Sequence, residues 1–314
     1  MASDGRFREA IEVLTRANRG RNDQAIEHRL IALRSAACTT IEGTRARASW
    51  PPPVDDLFPA VVGPPEVTPE ELTLETLRSG ILRHGSLLVR GLVGRKAVRR
   101  LVKDIDRAFR AHDSYWTGAR EPSPWFAPFE PGPRYPAGFE HRKWIREGGG
   151  VLAVDSPRTL FDAIEVFEEA GIGRLISSYL GERPWLLAGK WTLRKMSPAE
   201  HRETGRDPDD PPDWHQDGAF LGADIRSVDV WLSLSHCGRD APGLDIVARR
   251  LDEIVQTGTD GARFGWSVGN EMAERVARGA IVRPVFEPGD ALLFDHLMLH
   301  RTGLDRHMSR VRYA

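Results

Sequence analysis

Cysteine is nearly absent from this 314-residue chain, which carries only Cys38 and Cys237. So small a number argues against a disulfide framework, and two thiols this far apart argue against a zinc–thiolate site. A reducing cytoplasm is the expected location. Long hydrophobic runs are also missing: none approaches the ~20 apolar residues that span a bilayer. Met1 to Ala10 is polar and charged, without the apolar centre of a signal peptide. Net charge is lacking as well. Lys and Arg number 44 and Asp and Glu 45, leaving a formal charge of -1 with no global footprint for nucleic acid or an anionic membrane. Lysine is scarce, 5 against 39 arginines, which reads as the codon bias of a GC-rich, bacterial genome and says nothing of mechanism. There is no internal repeat.

What remains is a chain with 40% hydrophobic residues, enough for one large domain or two small ones around a sizeable core. Residues 1–60 read as a helical N-terminal extension, helical to about residue 47, with Pro51-Pro52-Pro53 forbidding helix and marking a linker. Thr68-Pro69-Glu70-Glu71 is a helix start with the makings of a capping box, and Gly85 a plausible end. Residues 86–92 read as a strand, and 158–180 as one amphipathic helix. From Trp185 to Met196 the pattern is extended. Alternation in 228–235 marks a half-buried strand, and 244–247, 281–286, 291–294 and 310–313 mark more. Short strands with glycine and proline turns in the last third predict a sandwich or barrel, within a main domain of 61–314.

Two segments suit covers over a site. Residues 121–136 are broken by proline yet rich in aromatics, and 197–213 are charged and lead into His215. The basic run His141, Arg142, Lys143 and Arg146 lies between them.

The chemistry gathers around Trp214-His215-Gln216-Asp217-Gly218. If this stretch is a strand, His215 and Asp217 point to one face and can grip one metal ion. Two histidines and a carboxylate cover one face of an octahedral Fe(II) and leave three positions open. The third ligand comes from the turn and strand at 287–294, followed by His296 and His300. Beyond them lie Thr302, Arg310 and Arg312, and an arginine there can pair bidentately with a carboxylate. On residue types alone, His296 or His300 and Arg310 or Arg312 stay open. The other histidines, Asp229 and Asp245 read as ordinary surface or core residues, and Arg249-Arg250 as a solvated pair.

In order along the chain, HGSLLVRGL (84–92), WHQDG (214–218), VDVWLSLS (228–235), APGLDIV (241–247), GDALLFDHLMLHRTG (289–303) and RVRYA (310–314) resemble the phytanoyl-CoA dioxygenase family of Fe(II)/2-oxoglutarate-dependent oxygenases. The resemblance spans roughly residues 70 to 314. It implies a mainly β fold with flanking helices, built on a double-stranded β-helix (jelly-roll, cupin-like) core. It also implies Fe(II) held by His215, Asp217 and His300 as the catalytic triad. The interval from the glycine–aspartate turn selects His300 over His296. Arg312, ahead of Arg310, and Thr302 would hold the far carboxylate of the cosubstrate 2-oxoglutarate, and Trp231 would line its pocket. With O2, such a site oxidises a small-molecule substrate, here one of specialised metabolism. Asp217 fills the position that halide-transferring relatives leave vacant, so a hydroxylase type is expected. Two other readings share the motif: a non-catalytic jelly-roll binding protein that retains metal, and a metal dioxygenase that needs no 2-oxoglutarate.

Overall fold

The two amphipathic stretches at the start fold as helices α1 (Phe7–Asn18) and α2 (Gln24–Thr40). The connection is local: Asn18 Oδ1 accepts from the Asp23 amide, and Asp23 Oδ1 caps Ala25. The computed structural model describes residues 6–40, 50–118, 120–130, 141–187, 189–199 and 213–314. Most of 197–213, and residues 131–136 of the other expected cover with Tyr135, lie outside the described residues.

Strand β1 (Glu66–Val67) precedes the predicted capping box, which forms at Thr68 and Glu71 but closes only a 3-10 turn, Pro69–Glu71. Thr73 then caps a fresh helix, α3 (Leu74–His84), accepting from the Thr76 amide. Two capping residues five apart thus divide what reads as one helix. Gly85, at φ +89°, ends it as expected. Strand β2 (Ser86–Val89) and helix α4 (Arg95–Thr117) follow, then α5 (Arg142–Glu147) and strand β3 (Gly150–Leu152). The helix expected over 158–180 is two, α6 (Pro157–Glu169) and α7 (Ile172–Leu180). Gly171 between them sits at φ +75°, outside any right-handed helix. The strand expected over 185–196 is only β4 (Thr192–Met196), because the Lys190 and Trp191 amides turn back to the Leu187 carbonyl. The last third carries α8 (Gly218–Leu221), β5 (Asp229–Leu232), β6 (Gly243–Val247), α9 (Asn270–Ala277), β7 (Ile281–Val282), β8 (Ala291–Phe294), β9 (His300–Gly303) and β10 (Arg312–Tyr313). Among the described residues, no helix is long and apolar enough to cross a membrane.

The chain packs as two compact units. One comprises Met1–Arg47, Arg99–Glu169 and Pro184–Lys195. In it Phe7 and Ala10 of α1 pack on Leu33 and Ala37 of α2, and Arg158 of α6 pairs with the buried Glu27 of α2. Strands β3 and β4 pair antiparallel. Phe126 is buried and packs on Tyr115 and His112, which anchors the described part of 121–130 at that ring. Arg142 and Arg146 of the basic run are held by Asp155 and Asp113.

This unit also sets two carboxylates side by side, Asp104 buried and Asp162 half-buried. Burial, then the charge of Asp162, pushes Asp104 up to about 7, while Arg107 and Arg100 oppose the shift. The folded state therefore holds this proton more tightly than the unfolded chain does. Stability falls as pH rises from the ordinary carboxylate range through about 7. Asp104→Asn removes the ionisation. It is expected to stabilise the protein by about 1 kcal/mol at pH 8 and to flatten the melting temperature between pH 5 and 8. Calorimetric melting of both proteins across that range checks it; an unchanged slope refutes it.

The other unit comprises Ala48–Val98, Ala170–Arg183 and Met196–Ala314. A four-stranded sheet runs β1-β2-β8-β5, with β1 parallel to β2 and the rest antiparallel. A three-stranded antiparallel sheet runs β7-β6-β9. Leu88, Leu292 and Phe294 of the first sheet share one core with Leu244 and Ile246 of the second. Alternation along strands is what lets two sheets enclose such a core. Helices α3 and α7 pack together, and α3 lies against β2.

The expectation of a mainly β protein needs correction, since helices hold more of the described residues than strands do. The strands are short, two to five residues each, so each sheet buries little by itself and helices cover the remainder. The glycine–aspartate turn before β8 is structural. Gly289 adopts φ +104°, and a Cβ there would lie 2.2 Å from the Val93 carbonyl oxygen. Buried Asp290 accepts the Gly91 and Glu287 amides and pairs with Arg90.

Candidate metal centre

His215, Asp217 and His300 come together in the second unit, with one ligand atom from each lying within 4.8 Å of the others. His215 Nε2 is 3.8 Å from Asp217 Oδ1, and the two imidazole centroids are 4.3 Å apart. Atoms bound at ~2.0–2.2 Å to one ion lie at most about 4.4 Å from each other. Small rotamer movements therefore bring all three onto a single cation.

The local structure that achieves this is not the expected strand. His215 and His300 form an isolated antiparallel bridge, exchanging amide and carbonyl at 2.9 and 3.0 Å. Asp217 has already turned into right-handed backbone and heads α8, and its carboxylate makes no cap hydrogen bond there. Between the ligands, Gln216 is fully buried. Its amide nitrogen donates to the Glu253 and Leu297 carbonyls, and its oxygen accepts the Val255 amide. Gln216 thus bolts the turn to two other segments. A Cβ on Gly218 would lie 2.9 Å from His296 Cδ2, so the glycine admits that ring.

Each histidine of the trio donates Nδ1–H to a backbone carbonyl, His215 to Asp213 at 3.4 Å and His300 to Met298 at 3.1 Å. These contacts, the closer at His300, favour the tautomer with the lone pair on Nε2, the form a metal needs. His296 instead spends Nε2 on the Ala223 carbonyl and stands outside the trio. Two imidazoles and one carboxylate form an intermediate N/O donor set that suits Fe(II), with room for further ligands.

The remaining predicted residues lie along the same strands. Thr302 is two residues beyond His300 on β9, hence on the same face and about 7 Å away. It faces Leu244 across the ladder. Arg312 is buried and donates Nη1 to the Gly243 carbonyl at 3.0 Å, next to that ladder position. Arg310 is exposed. Trp231, on β5, lies with its ring 6.0 Å from the Arg312 guanidinium carbon and packs on Phe286.

Several residues near the site escaped the sequence reading. Asp229 interacts with Asp217, and burial followed by the charges of Asp217 and Asp295 raises its carboxyl well above the usual range. Phe220 and Trp266 pack against the His215 ring. Phe220 is visible in retrospect, three residues after Asp217; Trp266 is remote and gave no signal. Arg250 is no solvated pair with its neighbour, since it is bound to buried Asp295.

No family model matches the sequence, and a search of curated proteins finds no match. Solved structures do resemble the fold. One is EvdO2 from Micromonospora carbonacea var. aurantiaca complexed with 2-oxoglutarate, 15% identical over 76% of this chain and 86% of that one, with a TM-score of 0.40. Another is the epimerase SnoN in complex with Fe3+, alpha ketoglutarate and nogalamycin RO, 12% identical over 76% and 80%, at 0.41. A third is SnoK, a non-heme alpha ketoglutarate dependent carbocyclase from nogalamycin biosynthesis, 11% identical over 79% and 83%, at 0.45. At scores this low the likeness carries no argument, and the chemistry is argued from this chain's own residues.

Proposed function

We propose that His215, Asp217 and His300 hold a mononuclear non-haem iron. The class that such a centre serves is the Fe(II)- and 2-oxoglutarate-dependent oxygenases. Within that class the chain's motifs resemble the phytanoyl-CoA dioxygenase family, with its jelly-roll core. The observation that carries this reading is the convergence of three donors from two distant segments, with each imidazole's Nδ1 facing a backbone carbonyl.

Bound Fe(II) would supply adjacent open positions at which a keto acid and O2 react. The chain's own residues do the rest. Asp217 contributes the single negative charge of the donor set and occupies the place a halide would need, which favours hydroxylation. Arg312 offers a planar fork of N–H donors to the far carboxylate of 2-oxoglutarate, and Thr302 a hydroxyl. Two residues along a strand match the reach of a five-carbon diacid. Trp231 lines that end. In the overall reaction 2-oxoglutarate and O2 yield succinate and carbon dioxide. One oxygen atom enters succinate and the other enters a small-molecule substrate.

The test is stoichiometric. Anaerobic protein should bind one Fe(II), and adding 2-oxoglutarate and O2 should release succinate only when iron is present. Iron binding without succinate would leave a metal-retaining binding protein. Substrate oxidation independent of 2-oxoglutarate would make it a different dioxygenase.

A further inference from the structure

Beside the trio lies a group of aromatic rings that iron and 2-oxoglutarate do not use. The Phe220 ring lies 6.2 Å from that of His215, at an interplanar angle of 28°. Trp266 meets the same imidazole at 5.8 Å and 83°, and meets Phe220 at 5.7 Å and 90°. Phe264 stacks on Trp266 at 5.0 Å, with the two planes 1° apart. These rings are not core: Phe220 is 36% exposed and Phe264 40%. A lone exposed aromatic is ordinary, but two exposed rings joined through a half-buried third against the metal trio make a contiguous apolar patch.

The rings are also held in place. Asp213 Oδ2 accepts the Arg263 amide at 2.6 Å, its carboxylate takes the Ser267 hydroxyl, and the Val268 amide donates to the Trp214 carbonyl at 2.8 Å. The segment carrying Phe264 and Trp266 is therefore tied at both ends to the stretch that presents His215. The segment's one cation, Arg263, is paired with Asp213, which balances its charge beside the rings. The wall thus offers flat faces and edges of π systems, against which a planar ring can stack or pack edge-on. Offset stacking adds to area burial there, whereas a saturated ring gains area alone.

We propose that Phe220, Trp266 and Phe264 form the substrate-docking wall of the centre, and that they take a planar aromatic or conjugated ring system beside His215. This rests on the iron reading above for its chemistry.

The protein loaded with Fe(II) and 2-oxoglutarate, kept anaerobic, can be examined by equilibrium dialysis with 1-naphthol and with its saturated counterpart, 2-decalol. Naphthol should bind about tenfold more tightly or better. Phe264→Leu and Trp266→Leu should each weaken naphthol by about fivefold and decalol by less than about twofold, with bound iron unchanged. Phe264 is exposed enough that leucine there does not threaten folding. Equal affinity for the two probes, or a Phe264→Leu protein that binds naphthol as before, overturns the docking wall while leaving the iron reading intact. Wild-type protein that distinguishes the probes yet binds no iron supports the wall and sinks the iron reading alone.

Discussion

His300→Ala and Asp217→Ala should each lower Fe(II)- and 2-oxoglutarate-dependent succinate formation at least about a thousandfold, and should fail to retain iron after anaerobic reconstitution. Changing groups that merely orient a metal ligand costs 10–100-fold, so losing one of three ligands must cost more. The two substitutions differ in their side effects. Asp217 heads α8 without capping it, so its loss leaves local hydrogen bonding untouched. His300 is buried, and its ring contacts those of His215 and Phe294. Agreement between the two variants would therefore assign the effect to the metal rather than to folding. His296→Gln is the control, because the His296 imidazole is committed to the Ala223 carbonyl. It should keep iron and stay within about tenfold of the parent. A His300→Ala protein with stoichiometric iron and near-parental turnover would falsify the assignment.

The parts of this site that could be read from the sequence are those set by residue type and spacing. Two imidazoles and a carboxylate in an HxD arrangement, with a distant histidine after a glycine–aspartate turn, carry the donor chemistry in their identities. The backbone that delivers them is not set by spacing. The HxD pattern suits a strand shared by His215 and Asp217, but a helical turn presents Asp217, because buried Gln216 pins the chain there. Such a pin is a tertiary contact with segments 37 and 81 residues away, and no local pattern announces it. The break at Gly171 was visible as a glycine, yet apolar periodicity continued through it. Periodicity records which face is buried, whereas only backbone conformation records that the axis changes. Trp266 belongs to the same category as Gln216: a local turn between Phe264 and Ser267 shapes its segment, but its place beside His215 depends on the distant Asp213 and Trp214 contacts.

Arg312→Lys should raise the 2-oxoglutarate concentration needed for half-maximal turnover by about tenfold to a hundredfold, with iron binding unchanged. The residue is 2% exposed, and its guanidinium is anchored by the Gly243 carbonyl beside the ladder position of Thr302. Lysine keeps the charge but is a point donor, so it cannot hold a backbone carbonyl and a carboxylate in one plane. The substitution thus leaves the electrostatics of the pocket largely in place and removes its geometry. That separation is why lysine is the informative replacement; alanine would also strip a buried charge from a packed interior. Arg310→Lys should stay within about twofold, since Arg310 is exposed, and its backbone amide rather than its charge makes the bond to the Asp240 carbonyl. Steady-state succinate formation at graded 2-oxoglutarate, with iron content measured in the same samples, decides between the two arginines. If Arg310→Lys raises the requirement and Arg312→Lys does not, Arg310 holds the carboxylate, and the resemblance that singled out Arg312 has been carried two residues too far.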